Sequence, residues 1–202
     1  MSTTTDRRKK VLAVLAGGLV LGVGAAVTLA AWNDSEYATG SFTAGSFNLV
    51  GSTDGTTYAD HASSPGAALT FNANFNSLSP GDVVYASYWL QLDATTTNNA
   101  TVTPSLDSGT GANAANISYK VYTIDAATTC NAGAAASGTQ ILSGTNLTTG
   151  TGAATFPLTK GTPPTTAGAA QKLCFIVTAG SQAVLQQGGS ASAVWKFTAA
   201  SN

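Results

Sequence analysis

From Val83 to Asp93 the chain alternates, VVYASYWLQLD, with Tyr88, Leu90 and Leu92 on one side and Tyr85, Trp89 and Gln91 on the other. A period of two is the signature of a strand, and as the most apolar run outside the N-terminus it predicts a central one. Similar patterns predict strands over Ser41–Val50, Ala68–Phe75 (Leu69, Phe71, Ala73 and Phe75 on one face), Asn116–Ile124, Gln171–Thr178 and Ser192–Thr198, where Trp195 and Phe197 turn inward and Lys196 outward. Weaker runs lie at Ala100–Leu106, Ile141-Leu142 and Ala153–Leu158. Clusters of Gly, Asn, Ser, Thr and Pro at Asp107–Ala115, Gly144–Gly152 and Lys160–Gly168 read as loops. Eight or nine short strands joined by polar turns predict an all-β fold, a two-sheet antiparallel sandwich of jelly-roll or related Greek-key type.

The first thirty residues follow a different rule. Arg7, Arg8, Lys9 and Lys10 precede an uncharged stretch from Val11 to Ala31 that ends in small residues. A basic region, an apolar region and a small-residue site in that order form an export signal. The stretch also has the length of an uncleaved anchor helix. In either case the basic end stays in the cytoplasm and the remainder is exported. The organisation expected is a signal helix over 1–30, a mature N-terminal segment over 31–50 and a β-sandwich over 51–202, with membrane contact only through the signal segment before cleavage.

Composition sharpens this picture. Glu, Lys, Arg, Gln and Met are scarce and Gly, Thr, Ser, Ala and Asn dominate, which opposes a helical body. Beyond the signal, Lys120, Lys160, Lys172 and Lys196 are the only bases, against eight acidic residues. Nucleic-acid binding needs clustered cations, so that class is excluded. A weakly charged surface offers little repulsion between copies and favours self-association. Cys130 and Cys174 are the only cysteines, and in an exported chain they are expected to form a disulfide. The short Cys spacing and extra ligands of a zinc or redox site are lacking.

Reactive chemistry is sparse. His61 is the single histidine, in a turn-like stretch with Asp54 and Asp60. One imidazole beside two loop carboxylates makes neither a metalloenzyme centre nor a calcium loop with its dense acidic pattern. No phosphate loop, dinucleotide fingerprint, HExxH or catalytic Cys–His set occurs, so neither catalysis nor a cofactor or metal is expected. The triplets at Asn99, Asn116 and Asn146 match the glycosylation acceptor pattern but are common by chance in such a composition. Trp89 and Trp195 fall at strand periodicity and read as core.

The junction carries a resemblance. Thr28-Leu29-Ala30-Ala31-Trp32-Asn33-Asp34-Ser35, then Ser41-Phe42-Thr43-Ala44-Gly45-Ser46-Phe47-Asn48-Leu49, resembles the signal region and mature N-terminus of the TasA/camelysin family. Leu78-Ser79-Pro80-Gly81-Asp82 is similar to that family's L-x-P-G-D turn, which leads into a long strand. The resemblance implies cleavage between Ala30 and Ala31 by a SipW-type signal peptidase, and a jelly-roll sandwich. It also implies assembly into extracellular biofilm-matrix fibres, in which one subunit's N-terminal segment completes the sheet of the next. The metallopeptidase activity ascribed to camelysin does not carry over, because the metal-ligand set is lacking. The cysteine pair and the scarcity of Lys and Glu depart from the lysine-rich TasA pattern.

Two readings of the N-terminal segment stand side by side. As a donor strand for another copy, or for a related matrix subunit, it would offer Trp32, Phe42, Phe47 and Leu49 to side-chain pockets. Alternatively it is the first strand of its own domain. The function expected is therefore a secreted structural protein of the biofilm matrix or cell surface. A monomeric exported adhesin or binding domain is the alternative, and a camelysin-like surface metallopeptidase a further one.

Overall fold

The computed structural model describes residues 3–28, 34–72 and 75–202, and the side chains of the first helix from Thr5 to Leu21. Ala30, Ala31, Trp32 and Ala73 lie outside the described residues. The chain divides into two compact units, Met1–Thr43 and Ala44–Asn202.

The first unit holds helix α1, Thr3–Thr28. Within its described side chains no stretch is long and apolar enough to cross a membrane. After it, residues 34–45 adopt no regular structure, and Tyr37 and Phe42 are 91% and 97% exposed.

The second unit is a sandwich of two antiparallel sheets. Its strands are β1 (Leu49–Ser52), β2 (Val83–Leu92), β3 (Ala100–Thr110), β4 (Ile117–Ile124), β5 (Thr139–Gly144), β6 (Phe156–Leu158), β7 (Gln171–Ala179) and β8 (Ser192–Ser201). One sheet runs β1-β2-β7-β4-β5 and the other β6-β3-β8. The order β2-β7-β4-β5 opposite β6-β3-β8 is that of a jelly roll, with β1 added beside β2 instead of beside β8. The expected two-sheet sandwich is therefore present.

Each sheet buries one face because each strand alternates. In β2, Val84, Ala86, Tyr88, Leu90 and Leu92 are buried while the intervening side chains are at least partly exposed. They meet Leu173, Phe175 and Val177 of β7 and Ile117, Tyr119 and Val121 of β4 in one core, closed from the other sheet by Ala100, Val102, Phe156 and Leu158. Aromatic rings bridge the layers: Phe175 lies edge-on to Trp195 with ring centroids 4.9 Å apart, and Tyr119 to the same indole at 5.5 Å. Such edge-on pairs add about 0.5–1.5 kcal/mol each beyond the area they bury.

Outside the β2-β7-β4 sheet sits a smaller cluster, Tyr122, Ile124, Ala134 and Cys174, covered by Cys130 and Ile176. The Cys130–Cys174 disulfide, with Cα atoms 5.2 Å apart, pins the loop carrying the short helix α2 (Ala134–Ser137) to β7. Closing a loop of this length restricts the unfolded chain by about 4 kcal/mol in the chain-entropy account. Bonded cysteines belong to chains that fold in an oxidising, non-cytoplasmic compartment.

Four expectations need correction. Ser41–Val50 supplies only the two residues Leu49 and Val50 to β1, whose partners are Leu92 and Gln91. Ala68–Phe75 is not part of any sheet among its described residues. Asp107–Ala115 is not wholly a loop, because β3 continues to Thr110 past a bulge at Asp107 and keeps pairing with Ala193 and Ser192. Trp89 is not core: it lies on the outer face of β2, under Gly55 and 5.2 Å from the Lys172 ammonium, which stacks on its ring.

Candidate functional site

The turn Leu78-Ser79-Pro80-Gly81-Asp82 starts β2. Asp82 N–H donates to the Ser79 carbonyl at 3.0 Å, and Ser79 N–H donates to the Asp82 carboxylate at 2.8 Å. Pro80 and Gly81 take the two central positions of a type II turn, and Gly81 has the φ of +83° that the second of them demands. Gly81 N–H then reaches the Gly180 carbonyl at 3.0 Å, and Ala179 N–H the Asp82 carbonyl at 2.8 Å, so the turn fixes β2 against β7.

Ser46 and Asn48, at the start of the second unit, are held in a second cluster. Ser46 bridges to Thr96, and Thr97 N–H donates to the Ser46 carbonyl at 3.0 Å. Asn48 N–H donates to Thr96 Oγ1 at 2.9 Å, and Asn48 Nδ2 to Asp93 Oδ2 at 3.1 Å. Burial alone would push the Asp93 carboxyl up, but hydrogen bonds from Thr95, Asn48 and Thr96 outweigh it and hold the group below the usual carboxylate range. Phe47 and Leu49 are thus tied to their own domain, Phe47 39% exposed and Leu49 half-buried in β1, whereas Phe42 is 97% exposed.

Sheet margins decide what the sandwich can pair with. The outer side of β1 is met by Ala59, whose N–H and carbonyl exchange hydrogen bonds with Gly51 at 3.0 Å each. The outer side of β5 is met by Thr151, paired with Ser143, and by Ala154, bonded to the Ile141 carbonyl. β6 is three residues long and carries Pro157, which has no N–H. β8 differs from all three: it runs ten residues, pairs with β3 on one side, and meets no backbone of the described residues on the other. Half of its N–H and C=O groups face outward along that margin.

Beside this margin lies an apolar groove of about 850 Å³. Its floor is the inner face of the five-stranded sheet (Tyr88, Leu90, Phe175, Val177), one wall is β8 from Ala193 to Ala199, and the other is the segment carrying Leu69, Phe71, Phe75 and Leu78. The inward residues of β8, Trp195, Phe197 and Ala199, are only half-buried, unlike their counterparts on β2 and β7. Trp195 Nε1–H is itself buried and has no hydrogen-bond partner among the described residues, while the indole ring lies edge-on to Tyr119. Burial raises the Tyr88 phenol above its ordinary value, and the Tyr119 phenol likewise, with the Trp195 indole opposing. Gly51 lies against the Tyr88 phenol where β1 crosses this region, so a β-carbon there would force that side chain to shift.

The polar residues singled out in the sequence take modest places. Asp60 and His61 are exposed at the rim of the groove. Asp54 accepts hydrogen bonds from Thr56 and Thr57 N–H at 2.7 Å each and from Ser52 Oγ at 2.8 Å, and these hold its carboxyl far below the usual range. It closes a turn, and among the described residues no group of three or more His, Cys, Asp or Glu side chains gathers as a metal site would require.

What the geometry offers is therefore an open strand margin next to an apolar trough. Local patterns gave no signal for it, since it follows from the order of strands in the sheet. Compared with known protein families and with characterised proteins, the chain matches no family model and no characterised sequence.

Proposed function

We propose that this chain is an exported structural protein of the biofilm matrix or cell surface, which assembles into fibres by strand donation. The N-terminal segment of one copy lies along β8 of the next, and Phe42 enters the apolar groove. A SipW-type signal peptidase cutting between Ala30 and Ala31 frees the donor, so that export and cleavage precede assembly.

The observation that carries this reading is the ten-residue open margin of β8 beside an apolar groove, while the other three sheet margins are short or covered. A long unpaired edge is a template for another strand. Main-chain hydrogen bonds contribute about 1 kcal/mol each, and burial of a phenylalanine adds about 2 kcal/mol. From Ala38 to Ala44 the donor alternates, with Ala38, Gly40, Phe42 and Ala44 on one face and Thr39, Ser41 and Thr43 on the other, which suits a strand with one apolar side. Leu49 is held in β1, so the donor ends before Ser46. Head-to-tail addition that does not close yields filaments.

Electron microscopy of the mature chain starting at Ala31, beside one starting at Ala44, tests this. Filaments from the first and none from the second are expected; monomers from both at high concentration favour an exported adhesin or binding domain.

A further inference from the structure

Residues 67–72 have the pattern of a strand without a ladder. Ala67, Leu69 and Phe71 are partly buried against the core, while Ala68, Thr70 and Asn72 are exposed. That alternation is the period of extended chain, and Ala68–Phe71 contains neither turn nor bend. Among the described residues its backbone is tied only at the end: Asn72 N–H donates to the Tyr85 carbonyl at 2.9 Å, and Tyr85 N–H to Asn72 Oδ1 at 2.8 Å. Successive N–H groups of extended chain point to opposite sides, so those of Phe71 and Leu69 face away from β2. Neither has a hydrogen-bond partner among the described residues. The groove separates this segment from β8. The connectivity agrees, because in an eight-stranded jelly roll the strand preceding β2 lies on the side of the last strand.

We infer that the acceptor is two-sided: a strand from a second copy pairs with β8 on one margin and with Ala67–Asn72 on the other, turning the latter from unpaired extended chain into a strand. This rests on the strand-donation reading and adds a second margin to it. The occupant is the Ala38–Ala44 stretch of another copy, whose Phe42 is 97% exposed and whose alternation provides one apolar face for the groove. Pairing on both sides removes the open edge that a one-sided donor would pass on to its own outer margin, so lateral growth stops while head-to-tail growth continues. The inserted strand also covers Trp195 and Phe197, which β8 leaves half-buried.

Amide hydrogen exchange on the mature chain beginning at Ala31, before and after assembly at high concentration, tests this. Before assembly, the amides of Leu69 and Phe71 and the outward amides of β8 should all exchange rapidly. After assembly, both sets should slow by about 100-fold or more. Slowing of β8 alone overturns the two-sided acceptor and leaves strand donation standing. If neither set slows in a chain that assembles, or if the chain does not assemble, both readings fail. Slow exchange of Leu69 and Phe71 already in the monomer overturns the inference, because the segment would then be paired within its own chain. The conservative variant Phe42→Leu should retain protection at both margins, whereas Phe42→Asp should lose both together.

Discussion

Asp93 anchors Asn48 at the end of β2. Its carboxylate receives Asn48 Nδ2 along with the N–H and hydroxyl of Thr95 and the hydroxyl of Thr96, and these bonds hold it charged. Because its folded pKa is depressed, the stabilisation it supplies is present above its unfolded value, about 3.9, and is lost as pH falls through the folded value. Lowering the pH below about 4 should therefore loosen Asn48 from the end of β2, seen as faster exchange of the Asn48 amide, and Asp93→Asn should remove most of that acid dependence. Asp54 titrates in the same direction, but its bonds close a remote turn and leave Asn48 untouched. Phe42 illustrates the opposite situation, a large apolar side chain left 97% exposed. Phe42→Asp should leave thermal unfolding within about 0.5 kcal/mol of the parent while abolishing filaments, a separation that calorimetry and electron microscopy together can read.

At the scale of elements, the turn before β2 couples a local motif to sheet register. Gly81 has a φ of +83° in open space, so Gly81→Ala introduces no clash and tests backbone conformation alone. It should cost about 1 kcal/mol in denaturant unfolding, with an unchanged dependence on denaturant concentration. β2, β4, β7 and β8 were legible in the sequence because alternation along each of them matches burial of one face. β3 runs further than its sequence pattern predicts, because Asp107, Ser108 and Gly109 look like a loop whereas the ladder to β8 continues across the bulge. Ser41–Phe47 and Ala68–Phe75 show the opposite error. Both alternate like strands, yet among the described residues neither enters a sheet, since period two records which face is apolar and not where the partner comes from. Trp89 departs from the core position its periodicity predicts for a related reason: an aromatic on the outer face finds cover from Gly55 and Lys172, and alternation alone does not rank the two faces of β2.

For the molecule as a whole, the sandwich class was legible because short alternating runs and abundant turn residues leave few other solutions. The candidate site was not, because the open margin of β8 depends on β1 joining β2. Nothing local to Ser192–Ser201 encodes that choice. The central claim is that Phe42 of one copy enters the groove beside β8 of another. Replacing Phe42 with a photoreactive phenylalanine analogue, in a mixture of isotopically light and heavy mature chains, tests it most directly. The account predicts light-to-heavy cross-links from position 42 into Trp195–Ala199 and Leu69–Phe71. Cross-links confined to a single chain, or scattered over surfaces away from β8, would contradict it.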